Sequence, residues 1–424
     1  MRMCDFPLVL AGLLILQTSG SKALAQTPAA QVKPPVSAIT KLAQTVQPGN
    51  TSGTALPPLS FATPEGLFSI LPSGEARQAL MEGTHSPFFA IAWTVDGEQV
   101  AVVKNFGQVD VIRLDQSSPA VIFESDCVRP PTLDLAWQTD DETLVIQELC
   151  DPPVSGAPGS QNIFVAQPAG AVEALANLPD TLQSGLYLSP GGTAAAYVVN
   201  DHIYILGTDE STPRQITQTP GVYGAAGSPL AWSPGGEQIA FFEGNYPFQQ
   251  INVINTDGTN RRRLTPDPDF QIYRSRLAWS PDGSKLAFYQ PSNPPDSNQE
   301  IIRLLDLTSG EIETLTRPGF YDALSWSPDG QQLAFASGSQ FERQAMFVYD
   351  LASGDFTVLT PEPFQNVLTS AWSPNGDWIA FTATPVGDEL GTQILYAVRP
   401  DGSGLTALTS PDEYVYPFAW IPQP

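Results

Sequence analysis

Few side chains in this 424-residue sequence are placed for catalysis. His85 and His202 are the only candidate imidazole bases. His85 sits in Thr84-His85-Ser86-Pro87, a loop sequence that could touch a ligand at a loop mouth. His202 sits in Asp201-His202-Ile203-Tyr204, a strand sequence in which the ring is expected to bond a neighbour. Neither has a Cys, His or carboxylate at zinc-ligand spacing. A serine hydrolase would carry G-x-S-x-G on a strand-to-helix turn, and that pattern is missing. Carboxylates are plentiful, so composition leaves room for a glycosidase pair, but nothing singles one out. Asp96, Asp282 and Asp329 fall in repeated turn sequences, which account for them. Asp267 and Asp269 flank Pro268, and Asp140-Asp141-Glu142 is a dense acidic turn; neither follows the EF-hand spacing. No catalytic residue, metal set or cofactor motif is assigned, and the balance leans away from an enzyme.

One charge feature could recognise a partner. Arg261, Arg262, Arg263, Arg274 and Arg276 crowd five basic residues into sixteen positions of a strongly acidic chain. An acidic protein or peptide could dock there. The alternative is an outer strand neutralised by nearby acids such as Asp267 and Asp269.

The elements that must position these residues follow from a repeat. LAWSPGGEQIAFF begins at Leu230, LAWSPDGSKLAFY at Leu277, LSWSPDGQQLAFA at Leu324 and SAWSPNGDWIAFT at Ser370. Weaker copies begin at Ile91, Leu135 and Leu186, and FAWIPQP ends the chain. The anchor positions are Trp93, Trp137, Leu188, Trp232, Trp279, Trp326, Trp372 and Trp420, with gaps of 44, 51, 44, 47, 47, 46 and 48 residues. Each unit reads as a strand ending in Trp, a Pro-Asp-Gly turn, a second strand Ile/Leu-Ala-Phe, a third strand, another Gly turn, and a fourth strand ending in Leu-Thr. The Trp anchors read as packing residues, since they recur once per unit. Four short antiparallel strands per repeat predict an all-β, closed β-propeller. Leu59–Thr63 matches a second strand, and Phe418–Trp420 supplies a missing first strand. That gives eight blades, with one shared between the two termini. Seven is the alternative, because the degenerate copy at Leu188 and the 51-residue gap leave room for another phasing.

Residues 1–25 read as an export signal: Arg2, the apolar run Phe6 to Leu16, then Ala23-Leu24-Ala25 at the cleavage position. Cys4 precedes the apolar run and would leave with the signal. Cleavage removes Arg2, Lys22 and Asp5, leaving 17 basic and 43 acidic residues, a charge of −26. Such a surface repels phosphate backbones, which argues against nucleic-acid partners. No later apolar run reaches the roughly 18 residues of a membrane span. Residues 26–55, rich in Pro, Gln and Thr, read as a flexible linker, and 56–424 as the propeller. Cys127 and Cys150 are an even pair in an oxidising compartment, expected to bridge the open end of the hairpin Thr132–Trp137 and Thr143–Leu149. Two free buried thiols are the alternative.

The WSPDG…LAF unit resembles the repeat of the TolB-like (WD40-like, PD40) propeller superfamily. The motif is clear at Trp232, Trp279, Trp326 and Trp372 and degraded elsewhere. The resemblance implies the propeller fold across 56–424, but not a single function: such repeats occur in periplasmic TolB and in non-catalytic propellers of serine peptidases. TolB itself adds an α/β domain before six blades, which this chain does not match. The resulting expectation is a soluble, exported, periplasmic or extracellular protein of a bacterial envelope. It would bind an envelope protein or peptide without chemistry of its own, and ring closure gives no reason to expect a dimer. The alternatives are a saccharide or small-ligand sensor, or a glycan- or peptide-acting hydrolase or lyase.

Overall fold

A computed structural model describes residues 56–422, apart from 83–87, 106, 116–117, 129–130, 151–159, 168–171, 178–185, 211, 223–229, 245–249, 266–276, 293–298, 318, 340–342, 389–390 and 416. The expected signal and linker (1–55), His85, Asp267, Asp269, Arg274 and Arg276 lie outside these residues. The described residues are all-β, and no helix among them is long and apolar enough to cross a membrane.

The fold is a β-propeller of antiparallel four-strand units. Its inner strands are Phe88–Trp93, Thr132–Trp137, Tyr187–Leu188, Leu230–Trp232, Leu277–Trp279, Phe320–Trp326, Phe364–Trp372 and Phe418–Trp420. Each unit is named here by the last residue of its inner strand. Seven units run outward in chain order; the Trp326 and Trp372 units are joined by one pair, Gln344 with Phe364. In the Trp420 unit the inner strand pairs instead with Leu59–Thr63, placing Leu59 opposite Trp420 and Phe61 opposite Phe418.

The turn sequence has a local physical cause. Ser280 Oγ donates to Asp282 Oδ1 at 2.6 Å and accepts the Lys285 amide at 2.9 Å, while Gly283 takes φ +70°. Thr94 with Asp96, Ser327 with Asp329 and Ser373 with Asn375 repeat the first bond at 2.6–2.7 Å. These hydroxyls, first among the causes, hold the carboxyls of Asp96, Asp282 and Asp329 below the usual range. The turns also stack: a Cβ on Gly283, Gly330 or Gly376 would meet Cδ of Pro234, Pro281 or Pro328 at 3.9, 3.5 and 3.8 Å.

The Leu-Thr signature lies just past the fourth strands, which are only two or three residues long in five units, as at Arg262–Arg263 and Thr406–Ala407. There Thr265, Thr316, Thr360 and Thr409, and Thr217 after Ile216, each accept an amide of the third strand through Oγ1, at 2.8–3.1 Å. A side chain thus replaces the ladder where the outer edge ends. The hairpin partner of Thr132–Trp137 is Leu144–Cys150, one residue later than the sequence expectation at each end, because Thr143 is tied into the turn by Asp140.

The core lies between units. Second strands are apolar on both faces, so alternate residues feed different seams: Ile239 and Phe241 pack toward the Leu188 unit, Ala240 and Phe242 toward the Trp279 unit. Fully burying one such Phe stabilises the seam by about 1.5–3 kcal/mol.

Candidate functional site

The three described arginines of the row are divided among separate contacts. Arg261 pairs with Glu243, donates to Thr219 Oγ1 at 2.8 Å and lies over the Phe241 ring. Arg262 donates to the Leu307 carbonyl of the next unit at 2.8 Å, and Arg263 to Gln250 Oε1 at 3.2 Å. Arg262 and Arg263 remain exposed. His202 Nδ1 sits 3.0 Å from the Thr217 carbonyl, within a bond set that includes Gln215. Cys127 and Cys150 form a disulfide with Cα atoms 5.6 Å apart. Buried Glu148 lies beside it and accepts from Ser125 at 2.5 Å and Asn162 at 2.8 Å.

The Trp anchors tie unit to unit. Trp137 Nε1 donates to the Ala92 carbonyl, Trp232 to Tyr187, Trp279 to Ala231, Trp326 to Ala278, Trp372 to Ser325 and Trp420 to Ala371, all at 2.8–3.3 Å. In each case the acceptor immediately precedes the preceding unit's anchor. Trp93 reaches the equivalent carbonyl, Ala419, through a relay: it donates to Ser60 Oγ at 2.8 Å, and Ser60 donates to Ala419 at 2.9 Å.

The anchor of the Leu188 unit has no indole. The carbonyl it would reach is that of Ala136, and at this seam the structure has a hollow of about 520 Å³. One wall is Asp134, Ala136 and Gln147, which share a sheet face because Asp134 pairs with Gln147 across the strands. The opposite wall is Leu186 and Leu188, with Tyr187, Leu230 and Trp232 beyond them. The seam itself stays joined. Below the hollow Gln138 Nε2 bonds Thr208 Oγ1 at 2.9 Å, and Val145, Ile163, Leu186 and Tyr197 pack as one cluster.

Two polar side chains of this wall lack hydrogen-bond partners among the described residues. Gln147 is only 8% exposed and has none. Asp134 also has none; it is exposed, and the surrounding protein still removes enough water to raise its carboxyl above the usual range. Asp134 and Gln147 thus present unengaged polar groups in a recess backed by apolar side chains, the pattern of a small-ligand site. A second hollow, about 600 Å³, lies between the turns of the Trp232 and Trp279 units. Its Asp257 and Asp282 are already engaged by Thr259 and by Ser280 and Ser284 within their own turns.

A separate carboxylate pair was not legible in the sequence. Burial, and then the charge of Asp322, push the Glu300 carboxyl up to about 7. Asp322 accepts from Gln344, whose Oε1 takes the Val367 amide at 2.7 Å. Glu300 opens an ordinary apolar strand, Glu300–Asp306, and lies 22 positions from Asp322, so no local pattern marks either.

Solved structures share the fold and differ in what they do. An oligogalacturonate lyase in complex with manganese matches with a TM-score of 0.53 at 16% identity, covering 82% of this chain and 98% of that one. Dipeptidyl peptidase 4 of Porphyromonas gingivalis gives 0.53 at 14%, covering 76% of this chain and 53% of that one. TolB from Acinetobacter baumannii gives 0.40 at 18%, covering 78% and 82%. No family model and no curated protein matches the sequence. At these identities the likeness to the lyase and the peptidase establishes the fold alone.

Proposed function

We propose that the chain is an exported binding propeller without chemistry of its own. Residues 1–25 act as the signal and 26–55 as a tether, and 56–424 form eight blades closed by the Trp420 unit. The expected setting is the bacterial envelope. The recess at the Leu188 seam, not the arginine row, holds the ligand, be it a free small molecule or the exposed end of an envelope peptide. The observation that carries this is Gln147, nine-tenths buried, without a partner among the described residues and lining an apolar-backed hollow.

Ligand-observed NMR tests it, with the chain from Gln26 against small amines, saccharides and short peptides, and Leu188→Trp in parallel. Binding lost in the filled variant supports the recess. Binding absent from both proteins, or equal in both, overturns it.

A second reading, a glycan- or peptide-acting lyase or hydrolase, draws on Glu300. A carboxyl near pH 7 beside another carboxylate has the properties of a general acid. Turnover of an oligosaccharide or peptide that disappears in Glu300→Gln would favour it over pure binding.

A further inference from the structure

The recess gathers a carboxylate and two further acceptors on one wall, and that points to a cationic donor as the ligand. Asp134 contributes a carboxylate whose oxygens accept. Gln147 contributes an amide oxygen on the same wall. The Ala136 carbonyl occupies the position that receives an indole directly at six other seams, and Leu188 cannot donate to it. An ammonium carries three donors and no acceptor. Behind these acceptors the lining is apolar and aromatic: Leu186, Leu188, Leu230, Tyr187 and Trp232. Aromatic faces attract a cation, and the apolar lining takes a hydrocarbon body. The rest of the surface agrees, since a chain of net charge −25 draws cations toward it.

We propose that the recess at the Leu188 seam binds a primary ammonium on a compact apolar or aromatic body, with Asp134 as counter-ion and Gln147 and the Ala136 carbonyl as the remaining acceptors. This rests on the recess being the binding site and goes further, in naming the charge and shape of what enters. The volume, about 520 Å³, lies within the range of small-ligand sites. The surrounding protein raises the Asp134 carboxyl, and an ammonium beside it would favour its charged form.

The probe is 2-phenylethylamine, with 2-phenylethanol as its neutral counterpart, titrated by calorimetry into the chain from Gln26. The amine is expected to bind at least about tenfold more tightly than the alcohol, as a charge-assisted bond outweighs a neutral one. Asp134→Asn should reduce amine affinity by about tenfold or more and leave the alcohol unchanged. Gln147→Leu should weaken the amine less. Leu188→Trp should abolish both while leaving the circular dichroism spectrum and melting cooperativity intact, which separates a filled site from a misfolded protein. If the alcohol binds as well as the amine and Asp134→Asn has no effect, the recess remains a binding site and the ammonium assignment falls. If neither probe nor any amine of similar size binds the wild-type chain, the ammonium assignment fails. If the saccharides and peptides also fail to bind, the recess fails with it.

Discussion

Two arcs of this propeller are built by different means. From Trp232 through Trp372 every unit carries the full turn motif, and every anchor bonds the carbonyl before the previous anchor. From Trp137 to Leu188 the repeat is degenerate, the anchor spacing stretches to 51 residues, and the indole is missing. There the seam relies on Gln138, an apolar cluster and, on the Trp137 unit, a disulfide. Where the repeated device is present, its own turn hydroxyls and indoles are bonded within or between units. Where it lapses, at the Leu188 seam, Asp134 and Gln147 line a recess. The irregular arc is therefore the place to look for function in a fold whose regular arc is occupied with holding itself together.

The largest expected difference lies between anchors. Trp326→Ala should cost about 3–5 kcal/mol, since it removes a large packed side chain and a bond to the Ala278 carbonyl. Leu188→Ala, beside an existing hollow, should cost less than about 2 kcal/mol because few contacts are lost on that side. Equal losses in urea denaturation would remove the contrast between the arcs. Cys127→Ser/Cys150→Ser comes next. The bridge closes a separation of 23 residues, for which chain entropy gives about 3 kcal/mol. Hydrogen exchange should show the loss concentrated in the Trp137 unit; a uniform loss would contradict its role as a local substitute for the motif.

A smaller effect tests the regular arc itself. The Glu300 pKa is raised in the folded state, so between about 4.5 and about 7 the folded protein holds a proton that the unfolded chain has released. Stability therefore falls as pH rises through that window, by on the order of 2 kcal/mol, and levels off above it. Glu300→Gln should flatten this slope in melting curves recorded from pH 4 to pH 8. A slope that persists would place its source elsewhere. The smallest effect is a gain. Leu188→Trp should add about 1 kcal/mol by supplying the absent donor to Ala136 and filling part of the hollow. A loss would mean that the seam backbone is shaped for Leu.

The propeller was readable because its physics is local and repeated. Ser-Pro-Asp-Gly is a complete turn in four residues, and Leu-Thr carries its own amide acceptor. Strand bounds at Leu59–Thr63, Thr132–Trp137 and Phe418–Trp420 agree with those expected from the sequence. The recess was not readable, although Leu188 was visibly the odd anchor. Its meaning depends on the carbonyl 52 residues earlier and on the pairing of Asp134 with Gln147, which only the stacked units reveal. In the arginine row, the described Arg261 and Arg262 reach partners 18 and 45 positions away, which sequence neighbours alone did not indicate. The Glu300 carboxyl was hidden for the same reason, since its environment comes from another unit.

The Ser60 relay has a kinetic consequence. Ser60 and Ala419 are 359 positions apart, whereas a threonine and the amide it accepts are separated by only 14. Loop-closure entropy makes the long contact about 3 kcal/mol harder to form from an open chain. Hairpins and their neighbouring seams should thus assemble first, with the Trp420 unit last, its final strand entering a nearly finished frame. By the same order that unit is the first to part when the protein unfolds, and mechanical pulling on the two ends of the described chain would load it directly in shear.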